Sequence, residues 1–356
     1  MGKKELLPPG LAYLADNITN KHNLLGARKG DGAKWAKELD LPREAETIFF
    51  AGCGYQYSSE LEALMSLSRR MDKGGVADMA MGLAGFQKKI GIDAVGIFRR
   101  ATAKAEHDDS DVLRDAVKVL RRLGFNFGYL GEDEPCCGGL LHYIGLQDEF
   151  KKHAQEVDHQ LKSKNVKQVI GIIPSCTYSL RNLLTKAVGG DHFEVKHFTE
   201  VVAGKLPLLS LRYSRQIKVT YHDPCQLVRY LGIVDEPRRI LKAIQGIELV
   251  EPERTSGEWA TCCGGGGGFE AVFPEMSQIL ATNRAKELAD TGADIIVTQC
   301  PGCIMQLKTG LKELKADKIE VLDLAQVVAR SMGLHLLCGL TSPLNSPGRS
   351  IPVVDP

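Results

Sequence analysis

Y-H-D-P-C at 221–225, T-C-C-G-G-G-G-G at 261–268 and T-Q-C-P-G-C at 298–303 are three short islands whose cysteines run C-x36-CC-x36-C-x2-C. Each island follows an apolar, β-prone run or carries a glycine cluster. Converging thiolates suit a soft metal centre, either zinc or an iron–sulfur cluster. Adjacent cysteines such as Cys262-Cys263 fit poorly into tetrahedral zinc, whose ligand pairs are normally spaced C-x2-4-C. They are easier to arrange around several irons, so the spacing favours an iron–sulfur cluster, with zinc as the alternative.

Working outward, the order of elements repeats. In the second half, strands at 217–221, 247–250, 294–298 and 319–322 alternate with helices at 237–244, 274–290, 305–314 and 324–331. The first half offers strands at 47–52, 126–130, 168–173 and 193–197, with helices at 148–164 and 180–187. It too delivers cysteines at strand ends: Cys53, then Cys136-Cys137 in E-D-E-P-C-C-G-G, then Cys176 in P-S-C-T-Y-S. Such alternation predicts an α/β fold of two tandem βαβ-type domains with parallel-rich sheets, related by a pseudo-two-fold internal duplication. The functional crevice of such sheets lies beyond the C-terminal strand ends, where every island falls. The expected boundaries are an irregular lead-in at 1–46, a first domain at 47–200 with a helical insert at about 61–100, a second domain at 201–333, and a disordered tail at 334–356. Within the lead-in, Trp35 is expected to anchor a short helix.

Composition narrows the function classes. The chain has 356 residues, 44% hydrophobic and 25% charged, with a net charge of +1, so neither nucleic acid nor an anionic membrane is an expected partner. Its first residues lack the apolar core of a signal peptide, and no apolar run reaches the length of a transmembrane segment. A cytoplasmic location is therefore expected, where ten cysteines point to metal binding or redox work rather than disulfides.

These motifs resemble the cysteine-rich CCG domain family, found in the B- and D-type catalytic subunits of heterodisulfide reductase and in related iron–sulfur oxidoreductases. H-D-P-C, C-C-G-G-G-G-G-F and C-P-G-C-I-M-Q-L carry the resemblance in the second half; G-C, E-P-C-C-G and P-S-C carry it in the first. The resemblance implies a non-cubane [4Fe–4S] cluster on Cys225, Cys262, Cys263, Cys300 and Cys303, working on thiols or disulfides. At the first site Cys53, Cys136, Cys137 and Cys176 would hold a second cluster of ordinary type, or a differently loaded site. By the resemblance the first motif should end in C-x-x-C, but the chain reads Cys176-Thr177-Tyr178-Ser179, with Ser179 where the last cysteine would stand.

The implied function is an oxidoreductase subunit of a heterodisulfide-reductase-like complex, of the kind also used in sulfur metabolism. The alternative is an electron-transfer subunit of a quinone-linked lactate, glycolate or glycerol-phosphate dehydrogenase, and a zinc-stabilised binding module is a third class. Ferredoxin-type cysteine runs are absent from the sequence, so a ferredoxin-like or flavin subunit is the expected partner.

Around the clusters, Gly264, Gly265 and Gly266 are expected to bring backbone N–H groups close to a cluster. A nucleotide-binding G-x-G-x-x-G fails at Phe269 and at Tyr57. His222 is the candidate proton relay or sulfur hydrogen-bond donor, against the plainer role of closing a strand end. Glu134 and Asp223 are read as turn-forming acceptors and Tyr178 as a packing residue. His142, His153 and His159 are read as surface residues.

Overall fold

The computed structural model describes residues 6–63 and 110–334. Seven strands among them build two all-parallel sheets. The first has the order β1-β2-β3, from Thr47–Phe50, Gln168–Gly171 and Glu194–His197. The second has the order β5-β4-β6-β7, from Arg212–Tyr221 (β4), Gln245–Leu249 (β5), Ile295–Thr298 (β6) and Glu320–Asp323 (β7). Their central strands are continuous apolar runs. Ile48, Phe49 and Phe50 of β1 are fully buried, and β6 (I-I-V-T) is buried along its whole length. Runs of that kind, without alternation, belong to parallel strands covered on both faces.

Helices supply the covers. Gln147–Ser163 buries Phe150, Ala154, Val157 and Leu161, one stripe at helical spacing. Ser110–Arg122 of the first half packs against Leu324–Ser331 of the second. A single hydrophobic cluster runs from Ile48 and Val169 through Val117 and Leu120 to Val219, Ile296 and Val328, so the two sheets share one core.

The duplication is visible in the sheet order. The expected strand at 126–130 does not form; Gly128 alone makes a parallel bridge to Ile48. On its other side, Tyr129 N–H goes to the Pro42 carbonyl, and that carbonyl oxygen lies 2.5 Å from where a Gly128 Cβ would stand. The chain at Pro42 thus packs against the outer edge of this remnant, and Leu130 turns into the helical region (φ −65°, ψ −14°) to enter the 3-10 turn Gly131–Asp133, which ends the run after one bridge. With this remnant counted, the first sheet reads remnant-β1-β2-β3, matching β5-β4-β6-β7. Both sheets therefore reverse direction of growth at their first strand, β1 or β4, and the loops after those strands carry Cys53 and Cys225. β3 and β7 also end alike, His197 and Asp323 each being the N-cap of a capping box.

Other departures are local. The lead-in contains a helix, Pro9–Lys21, started by proline at its first turn. Trp35 is buried in a short 3-10 turn, Asp31–Ala36, where its indole N–H donates to Tyr129. The expected second domain opens, at 201–215, on the end of the helix Phe198–Ala203 and the start of β4, which begins five residues before the expected strand and shifts register between Arg212 and Ile217. The helical insert from 64 onward and the tail from 335 lie outside the described residues.

Candidate metal centre

At the second site, β4 ends in Tyr221, and His222 N–H donates to the Val297 carbonyl on β6, fixing the turn that leads to Cys225. β6 ends just before Cys300, which is the N-cap of Pro301–Glu313; Cys303 lies in that helix's first turn. Cys263 Sγ stands 3.3 Å from Cys303 Sγ. Ligand atoms of His222, Cys263 and Cys303 lie within 4.8 Å of one another. Cys225 and Cys300 are half-buried and Cys262 is exposed.

Hydrogen bonds from Cys262, Cys303 and His222 hold the Cys263 thiol well below its ordinary range. Its neighbours move the other way. The hydrogen bond to Cys263 raises Cys262 and Cys303, while burial, then the charges of Cys300 and Cys263, push Cys225 up to about 11. Several thiols this close cannot ionise together unless a metal centre's positive charge replaces their protons.

The sequence offered no sign of Arg284, the largest fully buried side chain among those described. It leaves the helix Pro274–Ala289 and donates Nε–H to His222 Nδ1 at 3.1 Å, with further bonds to Thr255, Thr261 and Glu287. Because His222 Nδ1 accepts, its Nε2 carries the proton and is the atom left to face the sulfurs. An arginine in the middle of an otherwise ordinary helix gives no pattern by which to find it.

The cradle glycines have left-handed backbones or no space for a side chain. Gly264 has φ +81°, and a Cβ there would lie 2.4 Å from the Ser277 carbonyl; its N–H points at Cys262 Sγ at 3.3 Å. Ser277 hydroxyl donates to the Gly264 carbonyl and receives the Gln306 amide, locking the loop onto both helices. A Cβ on Gly265 would meet Gln306 at 2.9 Å, and Gly266 N–H donates to the Glu270 carboxylate. Asp223 takes a two-pronged bond from Arg238 and the Gly257 N–H, tying the approach to Cys262 back to the H-D-P-C turn.

The first site repeats this plan. Cys137 Sγ is 3.3 Å from Cys176 Sγ, and Cys137 is held low by hydrogen bonds from Cys136 and Cys176. Cys136 and Cys176 are raised in turn, by their hydrogen bonds to Cys137 first and then by Cys53 or burial. Glu134 accepts the N–H groups of Ala51 and Gly52 at 2.8 Å each, fixing the loop that presents Cys53. Burial pushes the Glu134 carboxyl up to about 8 despite those donors.

One correspondence differs from the sequence reading. Cys176 is the third residue of a helix that begins with Pro174, as Cys303 is of the helix that begins with Pro301. Each also pairs with the second cysteine of a CC pair at the same distance. P-S-C therefore matches P-G-C. The position without its cysteine is Ile173, equivalent to Cys300, and Ser179 is equivalent to Gln306. Ser179 is fully buried and its hydroxyl donates to the Cys137 carbonyl. His153, read as a surface residue, is buried at 2% exposure beneath Cys136; its helix lies with that face against the site. Tyr178 packs edge-on against Tyr230.

The two sites adjoin. A Cβ on Gly54, next to Cys53, would lie 2.6 Å from Pro301, next to Cys300. Tyr143 hydroxyl donates to Gln226, which follows Cys225. Tyr55 donates to Asp323 and Gln299 donates to Thr199, so each half reaches the helix cap of the other.

Every described cysteine is a free thiol, and 3.3 Å is far beyond the roughly 2.05 Å of a disulfide. Both donor sets are all-sulfur and fit iron–sulfur clusters; at the second site the His222 imidazole N–H is also aimed at a sulfur, that of Cys263.

A family model described as the cysteine-rich domain CCG matches residues 101–181 and 219–308, in tandem. The resemblance drawn from the motifs thus holds for both halves; the first match begins after Cys53. The chain is 36% identical over 228 residues to a subunit of the dihydromethanophenazine:CoB–CoM heterodisulfide reductase of Methanosarcina acetivorans, covering 62% of this chain and 54% of that one. It is 33% identical over 226 residues to EtfAB:quinone oxidoreductase of Syntrophomonas wolfei, covering 61% and 31%. A subunit of the CoM/CoB fumarate reductase of Methanothermobacter marburgensis is 25% identical over 295 residues, covering 82% and 58%. The chain spans about half the length of the heterodisulfide reductase subunits it matches.

Proposed function

We propose that this chain is an iron–sulfur redox subunit of a heterodisulfide-reductase-like complex, acting on a thiol/disulfide pair at the second site. Cys225, Cys262, Cys263, Cys300 and Cys303 would hold a non-cubane [4Fe–4S] cluster, and Cys53, Cys136, Cys137 and Cys176 a second one. The observation that carries the reading is the meeting of His222, Cys263 and Cys303 at the strand ends, beside the exposed Cys262. The bound clusters would supply single electrons and an iron able to take a substrate thiolate.

The chain's own residues do the rest. Arg284 holds His222 with its proton on Nε2, so the ring donates to sulfur and can pass a proton to a departing thiolate. Reduction of a disulfide consumes two electrons and two protons and gives two thiols. Gly264 presents its N–H to Cys262 and keeps the cradle narrow against the helix Pro274–Ala289. The abutting loops at Gly54 and Pro301 keep the two sites close enough for electrons to pass between them.

A second reading, electron transfer toward a quinone without disulfide chemistry, is favoured by the relative named EtfAB:quinone oxidoreductase. No helix among the described residues is long and apolar enough to cross a membrane. Under either reading a ferredoxin-like or flavin partner would supply electrons. Replacing Cys262 or Cys263 by Ser tests the proposal. Each variant should lose about four irons per chain, the nuclearity of the proposed cluster, and lose thiol-induced changes in the electron paramagnetic spectrum. Unchanged iron in both would remove the five-cysteine assignment. Full iron loss without any thiol response in the wild type would favour the quinone-linked reading.

A further inference from the structure

A second group of close-set potential ligand side chains lies against the first cysteine site. Ligand atoms of His22, His153 and Glu156 lie within 4.8 Å of one another. None of the three belongs to either cysteine set, and their donors are two nitrogens and a carboxylate oxygen. That mixture suits a borderline divalent ion such as zinc rather than an iron–sulfur cluster.

The state of His153 points the same way. Its ring is 2% exposed, and Nε2 lies 2.8 Å from the Cys136 carbonyl oxygen. A carbonyl only accepts, so Nε2 carries the proton and Nδ1 keeps a bare lone pair. Nδ1 is buried with no hydrogen-bond partner among the described residues. A buried acceptor left unsatisfied costs roughly 1–3 kcal/mol, which calls for a reason. An imidazole donating one N–H to a backbone carbonyl while its other nitrogen stays free is the usual posture of a metal ligand.

The neighbours are in place. Glu156 is one turn along the helix Gln147–Ser163, on the same face as His153. His22 caps the helix Pro9–Lys21 in a left-handed conformation, φ 54°, which turns it toward His153; the ring centroids are 5.8 Å apart. Two imidazoles on one ion at metal–nitrogen distances of about 2.0–2.1 Å have centroids roughly 4–6 Å apart. Both histidines also hold Cys136: His22 carbonyl accepts its N–H at 3.1 Å, and His153 donates to its carbonyl.

We infer that His22, His153 and Glu156 form a zinc-class divalent cation site that ties the N-terminal helix to the helix Gln147–Ser163 and clamps the backbone of Cys136. Water completes the coordination from the exposed side, where His22 and Glu156 lie.

Cobalt(II) and zinc added to the cluster-loaded protein test this. Cobalt should bind with the visible d–d bands of nitrogen and oxygen ligation and without sulfur charge-transfer bands, iron content staying constant. Zinc should compete for it at one equivalent per chain. His22→Asn, which keeps the left-handed turn accessible, and Glu156→Gln should each weaken zinc by at least about tenfold. Both are exposed positions, so folding is preserved in either variant. Equal zinc affinity in wild type and both variants would overturn the site. So would cobalt bands of sulfur origin or iron released in proportion to zinc bound, since these assign the ion to the cysteines.

Discussion

Gly54 is the point at which the two cysteine loops meet, and replacing it by alanine tests whether that meeting is as tight as the structure shows. Gly54 lies in the short helix Gly52–Gln56, where its φ is not left-handed, so alanine suits the backbone and by itself would stabilise by about 0.4–1 kcal/mol through the unfolded chain. Against this, the new Cβ would sit 2.6 Å from Pro301 Cγ and 3.1 Å from Ile173 Cδ1. Carbon atoms in contact prefer about 3.5–4.0 Å, so something must move by roughly 1 Å. The proline ring starts a helix and cannot swing away, so overpacking of about 1–3 kcal/mol should win. The net expectation is a loss of roughly 0.5–2 kcal/mol, or about 1–3 °C in Tm for a chain of this size.

Pro301→Ala removes the ring carbons that clash and leaves its own Cβ at 3.5 Å, an ordinary contact. The double variant should therefore recover most of the loss, giving a coupling energy of at least about 1 kcal/mol in a double-mutant cycle. Thermal denaturation of the loaded protein measures it, and the electron paramagnetic spectrum reports any change in the interaction of the two sites. Strict additivity of the two substitutions would refute the contact between the loops and, with it, the close spacing of the sites.

Two further outcomes follow from named residues. Ile173→Cys should raise iron content at the first site or change its spectrum, because Ile173 stands where the second half has Cys300, whereas Ser179→Cys should raise neither; the reverse result would restore the register read from sequence. His197 is fully buried, donates Nε2–H to the Ile172 carbonyl and accepts the Thr199 N–H at Nδ1, and burial depresses it from 6.5 to about 3. A depressed folded value means its contribution is complete above pH 6.5 and is lost as pH falls toward 3, by about 1.4 kcal/mol per unit. Denaturation of His197→Asn, which keeps a cap, should show a shallower acid slope over that window; an unchanged slope would place the acid sensitivity elsewhere.

The sequence by itself determined the kind of fold and the donor chemistry. Short β-branched apolar runs such as I-I-V-T at β6, bounded by turn residues, are strand signals for a sheet covered on both faces. Thiols at strand ends are equally local facts, so all nine described cysteines could be assigned to two sites by chain position alone. Tertiary structure decided what depends on meetings between distant segments. Pro42 takes the outer-edge hydrogen bond of the remnant at Gly128, through Tyr129 N–H, a contact across the chain that no run of residues announces. The sequence placed Ser179 at the missing cysteine; the helix starts and the Cys137–Cys176 distance move that position to Ile173. Arg284 and His153 were silent in sequence because a buried charge or imidazole is defined by its partners: His222 is 62 residues from Arg284, and Cys136 is 17 from His153. Burial and hydrogen-bond pairing are properties of three-dimensional neighbours, and in a parallel α/β chain those neighbours are seldom close in sequence.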